Sequence, residues 1–172
     1  MSLSGTGRLI QTAATQTFII DGPTLQGISG NNTSLVYIAD NSAVELRSGY
    51  IKGNTRSSFA SVGGGVYVRY SSNFTMTGGE ISGNTAADLA GGVFILNGNF
   101  KMTGGGISSN NTGGAGGGVY IYNGNFSMTG GFIYGSGSGD LSNTAANGSA
   151  ACIQSAQPSA IDTTITKYPS SP

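Results

Sequence analysis

Residues 63–84 read GGGVYVRYSSNFTMTGGEISGN, and the pattern returns twice: residues 91–110 read GGVFILNGNFKMTGGGISSN and residues 116–136 read GGGVYIYNGNFSMTGGFIYGS. Three landmarks keep one register. Val66, Val93 and Val119 recur, as do Phe74, Phe100 and Phe126, then Ile81, Ile107 and Ile133, each at intervals of 26 or 27 residues. A weaker copy precedes them by 30 residues, with Val36 for Val66 and Ile51 for Ile81. The extra residues fall between Asn54 and Gly63, so the insertion is confined to one loop. Self-similarity at a fixed period is the mark of a stacked repeat, in which each unit buries its apolar face only against its neighbours.

Each repeat offers three short β-prone pieces: Val66-Tyr67-Val68, Phe74-Thr75-Met76-Thr77, and a very short one around Ile81. Their apolar residues alternate with period two, which argues strand. Gly-Gly, Asn-Gly and Ser-Gly-Asn clusters between them are turn chemistry. The expected fold is therefore all-β: a right-handed parallel β-helix, or solenoid, of five or six coils with three strands per coil. At about 4.8 Å per coil, such a rod is roughly 25–30 Å long. The expected divisions are a polar leader or expression remnant at residues 1–8, one β-helix domain over 9–166, and a polar tail at 167–172. Within the domain, residues 9–31 form a degenerate first coil, 136–148 a loop, and Ala150-Ala151-Cys152-Ile153 a last narrow strand closed by Ile161 and Ile165.

Composition fits a folded, uncharged rod. Charged residues are 8% of the chain and hydrophobic residues 37%, the reverse of a disordered composition. Glycine is 31 of 172 residues but lacks the every-third spacing of collagen. Zero net charge without a basic patch argues against nucleic acid. No apolar run is long enough to span a membrane. Cys152, the single cysteine, excludes an intrachain disulfide and reads as a small buried residue.

Stacking converts repeated residues into columns. The coil-closing motifs Ile28–Asn31, Ile51–Asn54, Ile81–Asn84 and Ile107–Asn110 place Asn31, Asn54, Asn84 and Asn110 at one turn. They are expected to form an inward ladder whose amides satisfy buried backbone groups. Phe74, Phe100 and Phe126, with Met76, Met102 and Met128, are expected core stacks. If Val66 and Val68 point inward, Tyr67 points outward, and so do Tyr37, Phe94 and Tyr120. Tyr70 and Tyr122 widen that stripe. An exposed aromatic stripe is a ligand-binding candidate; rings that stack on one another or lie under a loop are the structural alternative. A second outward column, Thr77, Thr103 and Thr129 beside Thr75, Lys101 and Ser127, has the Thr-x-Thr form used by ice-binding solenoids, complete only at Thr75 and Thr77.

Chemistry is harder to find. The chain has no histidine, which removes the commonest general base and the usual nucleophilic dyads. A glycosidase needs two carboxylates roughly 5–10 Å apart. Yet Glu80 is followed at its landmark by Gly106 and Phe132, and Glu45 by Thr75. No Asp-rich loop suits calcium, and no Gly-Lys-Ser/Thr follows the glycine runs. The reading is no catalytic residues, no metal and no cofactor.

The GGGV motifs at Gly63–Val66 and Gly116–Val119, alternating with the four Ile-x-x-Asn motifs above, resemble bacterial surface β-helix repeats. They are similar to the GGAI and FxxN repeats of polymorphic outer-membrane proteins and adhesins, and to the pectin-lyase-like superfamily. The resemblance spans about residues 9–166. It implies export, a cell-surface or secreted location, and adhesion. The expected function is a non-catalytic surface module, an adhesin-like passenger segment or rigid spacer, presenting its aromatic face to a glycan or surface protein. The contrasting expectations are a carbohydrate-active, lyase-like enzyme or its sugar-binding descendant, and an ice-binding solenoid. Unpaired end coils would allow oligomerisation through the solenoid ends.

Overall fold

The computed structural model describes residues 1–58, 61–154 and 159–161, the last three through their backbone. The repeats stack as a parallel β-solenoid of about five turns. Equivalent strands of successive coils pair side by side. The first face carries Ile10–Gln11, Val36–Ile38, Val66–Val68, Val93–Leu96, Val119–Tyr122 and Ala151–Gln154, all parallel. Ser159–Ile161 returns antiparallel on the last of these. The second face stacks Thr17–Ile20, Ala43–Leu46, Asn73–Met76, and the opening residues of the long strands Asn99–Ser108 and Asn125–Ile133. The third stacks Thr24–Gln26, Tyr50–Lys52 and Glu80–Ser82 against the closing residues of the same long strands.

The register is the one the period dictates. Val93 pairs with Val66 and Val119, Phe100 with Phe74 and Phe126, and Ile81 with Ile51 and Ile107. Alternation turns every second side chain inward, so each landmark becomes a core column. Val66, Val68, Phe74, Met76 and Ile81 are buried, as are Val93, Ile95, Phe100, Met102 and Ile107 one coil on. The three phenylalanines stack nearly parallel, with ring centroids 5.3 and 5.4 Å apart.

A fourth row was not foreseen. Thr55–Arg56, Thr85–Ala86 and Asn111–Thr112 pair in parallel, and single bridges link Val62 to Leu89, Leu89 to Ala115 and Ala115 to Asn147. Two residues are too few to display alternation, which is why the sequence pattern leaves them as turn. The pairing also narrows the insertion to the residues after Arg56.

The last strand, Ala151–Gln154, lies where the sequence places it, and both ends of the described chain add contacts to the stack. The leader packs onto the first coil: Ser2 bridges Gln26, the Met1 ammonium donates to the Thr24 carbonyl at 2.7 Å, and the Gly7 N–H donates to Asn31 Oδ1 at 2.8 Å. The loop at 136–148 contains a 3-10 turn, Gly139–Leu141, and then rejoins the stack through Thr144 and Asn147. Ile165 and the tail at 167–172 lie outside the described residues, as does the side chain of Ile161. Among the described residues, no helix is long and apolar enough to cross a membrane.

Candidate functional site

Three columns carry the polar and aromatic side chains singled out above. The first is the asparagine ladder. At each coil-closing corner, a residue of positive φ (Gly30, Gly53, Gly83, then Ser109) precedes the asparagine and turns it inward. Asn31, Asn54, Asn84 and Asn110 are buried. Asn84 Nδ2 donates to the Ile51 carbonyl at 3.0 Å and to Asn110 Oδ1 at 3.1 Å, while its Oδ1 accepts the Asn54 N–H at 3.2 Å. Asn110 repeats this one coil on, with Nδ2 donating to the Ile81 carbonyl at 2.9 Å and Oδ1 accepting the Asn84 N–H at 3.0 Å. Asn31 ends the column by donating to the Gly7 carbonyl at 2.9 Å and to Asn54 Oδ1 at 2.8 Å. A fifth member, Asn143, extends it, its Oδ1 accepting the Asn110 N–H at 2.9 Å. It lies 33 residues after Asn110, beyond the regular interval, and only the Leu-x-Asn at residues 141–143 hints at it.

The second column is the aromatic stripe, and here the exposure expectation is corrected. Tyr37, Tyr67, Phe94 and Tyr120 do align in register, with successive ring centroids 5.5, 5.2 and 5.6 Å apart. But Phe94 is 6% exposed and Tyr120 5%, and Tyr67 is half-buried. The residues ahead of each glycine corner double back over the rings. A Cβ on Gly63 would lie 3.0 Å from Phe94 Cβ, and one on Gly116 2.7 Å from Tyr120 Cβ. Leu89, Ala90 and Ala115 therefore pack on the rings, with Val62 and Cys152, as a second small core. Only the flanking Tyr70 and Tyr122 remain well exposed, at 40% and 39%. Cys152 is partly rather than fully buried.

Burial raises the Tyr67 and Tyr120 phenols above the ordinary tyrosine range. Both are neutral in the folded chain at pH values where the unfolded chain ionises. Their contribution to stability is complete below about pH 10, the free tyrosine value, and is lost as pH rises through the higher folded values. In an ultraviolet titration these two phenols should ionise above the free-tyrosine value; a single transition at that value would contradict the burial.

The third column faces outward on the second sheet. Thr77, Thr103 and Thr129 are exposed, with Lys101 and Ser127 beside them and Thr75 partly covered. The column is neither uniform nor uncharged. Lys101 pairs in register between Thr75 and Ser127, Glu45 stands one coil before Thr75, and a bulge brings Gly130, not Thr129, opposite Thr103. These are the irregularities that an ice-binding face has to lack. The same face bears an outer ladder that sequence reasoning missed. Asn99 Nδ2 donates to Asn73 Oδ1 at 2.9 Å, and Asn125 Nδ2 to Asn99 Oδ1 at 2.8 Å. Its signal was the asparagine that precedes each landmark phenylalanine.

Several carboxylates have local partners. Glu45 Oε2 accepts from Arg47 at 3.0 Å, which holds its carboxyl below the usual range. Asp40 lies 3.5 Å from Arg69, Glu80 accepts from Ser108 at 2.8 Å, and Asp21 from Ser48 at 2.5 Å. Among the described residues no group of three or more His, Cys, Asp or Glu could hold a metal.

Fold and columns together define the class: a parallel β-solenoid with a buried amide ladder. Comparison with protein-family models, curated proteins and solved structures returned no match for the chain.

Proposed function

We propose that this chain is a non-catalytic module of a cell-surface or secreted bacterial protein, an adhesin-like passenger segment or a rigid spacer. The observation that supports this most is the outer asparagine ladder, Asn73, Asn99 and Asn125, fixed in register by strand pairing on both sides. Stacked coils hold such groups at a constant interval without induced fit, so a partner meets a surface already ordered. The likeness of the GGGV and Ile-x-x-Asn motifs to adhesin repeats supports the surface context. Its partner class is a glycan or a surface protein, met by the outer polar face and by Tyr70 and Tyr122 at its margin.

The test is a glycan and extracellular-matrix array with the intact chain beside a Tyr70→Ser/Tyr122→Ser/Asn99→Ala variant. All three positions lie at the surface or partly so, and exposed substitutions change stability by about 0.5 kcal/mol or less. Specific binding that drops at least tenfold in the variant is the expected result for an adhesin. Equal binding by both proteins would remove these faces from the account, and no binding by either would leave the spacer.

A further inference from the structure

The corner where the first two coils meet holds a hollow of about 560 Å³ lined by Gly7, Arg8, Gln11, Asn32, Thr33 and Arg56. Topology alone creates it. Arg8 precedes the first strand of the first face, and Arg56 ends a strand of the short fourth row, where it bridges Asn31. The Arg8 guanidinium is fixed on three sides. Nε donates to Thr33 Oγ1 at 3.0 Å, Nη1 donates to Gln11 Oε1 at 2.6 Å, and the group lies 4.0 Å from the centre of the Tyr37 ring. Arg56 is partly buried and donates to the Val62 carbonyl, to Ser34 Oγ at 3.4 Å and to the Asn32 carbonyl at 3.4 Å.

Every one of these partners is neutral. Arg47 and Arg69, by contrast, each have a carboxylate, Glu45 at 3.0 Å and Asp40 at 3.5 Å. Arg8 and Arg56 therefore form a cationic pair with no ion-pair partner among the described residues. Burial, and then the Arg8 charge, depress the Arg56 pKa, as expected for a cation removed from water beside a like charge. Partly desolvated cations that lack an anion are costly. Guanidiniums held by neutral hydrogen bonds and ring stacking are preorganised for bidentate recognition of an anion.

We propose that this hollow is a binding site for an oxyanion group (sulfate, phosphate or carboxylate) held between the Arg8 and Arg56 guanidiniums, with Asn32 and Thr33 in its lining. The site stands apart from the surface-module reading, and an empty glycan array would count only against a sugar-borne source, not against the site. The ion has two sources, a free anion or an anionic group carried on a sugar.

The experiment is a titration of the intact, ¹⁵N-labelled chain with sodium sulfate and with sodium phosphate, ionic strength held constant with sodium chloride. Saturable amide shifts are expected at Gly7, Asn32 and Thr33. Affinity should fall at least tenfold in Arg8→Gln and less in Arg8→Lys, and stay unchanged in Lys101→Gln. Arg8 is exposed, and unshifted amides elsewhere will report that each variant is folded. A parallel titration with glucose 6-sulfate separates the sources. Tighter binding than inorganic sulfate identifies a sugar-borne group, and equal binding a free ion; either supports the site. Linear, unsaturable shifts with both anions, or equal affinity in wild type and Arg8→Gln, would overturn it.

Discussion

Gly91→Ala should cost about 3 kcal/mol or more of unfolding free energy, although the substitution adds one methyl group at a residue with no special backbone angle. The new Cβ would lie 2.5 Å from the Asn111 nitrogen, 2.6 Å from its oxygen and 2.8 Å from its carbonyl carbon. All three are backbone atoms of the next coil, and no rotamer change relieves them. Inserting a methylene into a packed core costs about 1–3 kcal/mol because side chains yield. Here the yielding element has to be the strand Asn111–Thr112, which pairs with Thr85–Ala86 and whose Asn111 N–H donates to the Asn84 carbonyl at 2.8 Å. Gly83→Asn is the control. Gly83 has φ +62° but its nearest neighbour to a Cβ is 3.9 Å away, and asparagine tolerates that conformation. Urea unfolding of both variants checks the argument. Equal midpoint shifts would mean that coil-to-coil contact at Gly91 is not what limits it.

Asn84→Ala should lose about 3 kcal/mol, whereas Asn73→Ala should lose about 0.5 kcal/mol or less. Residue type is the same; the difference is where the amide ends. Removing the Asn84 amide orphans the buried Asn54 N–H, whose bond to Asn84 Oδ1 is 3.2 Å. An unsatisfied buried donor costs about 1–3 kcal/mol. Two donated bonds, to the Ile51 carbonyl and to Asn110 Oδ1, go with it at about 1 kcal/mol each. Asn73 faces solvent, and water replaces its partner. Denaturant midpoints at unchanged slope give the comparison, and similar losses from the two variants would reject a structural role for the inner ladder.

The fold was legible because the determining signals are local and repeated. Valine, phenylalanine and isoleucine landmarks at a constant interval need only strand alternation to become columns, and the pairing of Val66, Val93 and Val119 follows directly. The inner asparagines were legible for the same reason, except Asn143, which an irregular insertion moved off the interval. Exposure was not legible. Alternation says which side of a strand Phe94 and Tyr120 occupy, but not that Leu89, Ala90 and Ala115 cross over that side. That crossing depends on how tightly a glycine corner folds back, a property of three-dimensional path. Arg8 and Arg56 were invisible for a related reason: they belong to different coils and to different faces, and only stacking brings them to one hollow.

Pairing between coils also sets how the rod answers a mechanical load. The inter-strand hydrogen bonds run from coil to coil, along the stack, and the described chain enters at one end of it and leaves at the other. Tension between the ends therefore falls on the outermost coil interface rather than on all interfaces at once. Coils peel away singly, each releasing the 23 to 33 residues that separate successive asparagines of the inner ladder, or roughly 80–110 Å of extended chain at about 3.4 Å per residue. A tether of this design yields in steps under tension and stays stiff under bending.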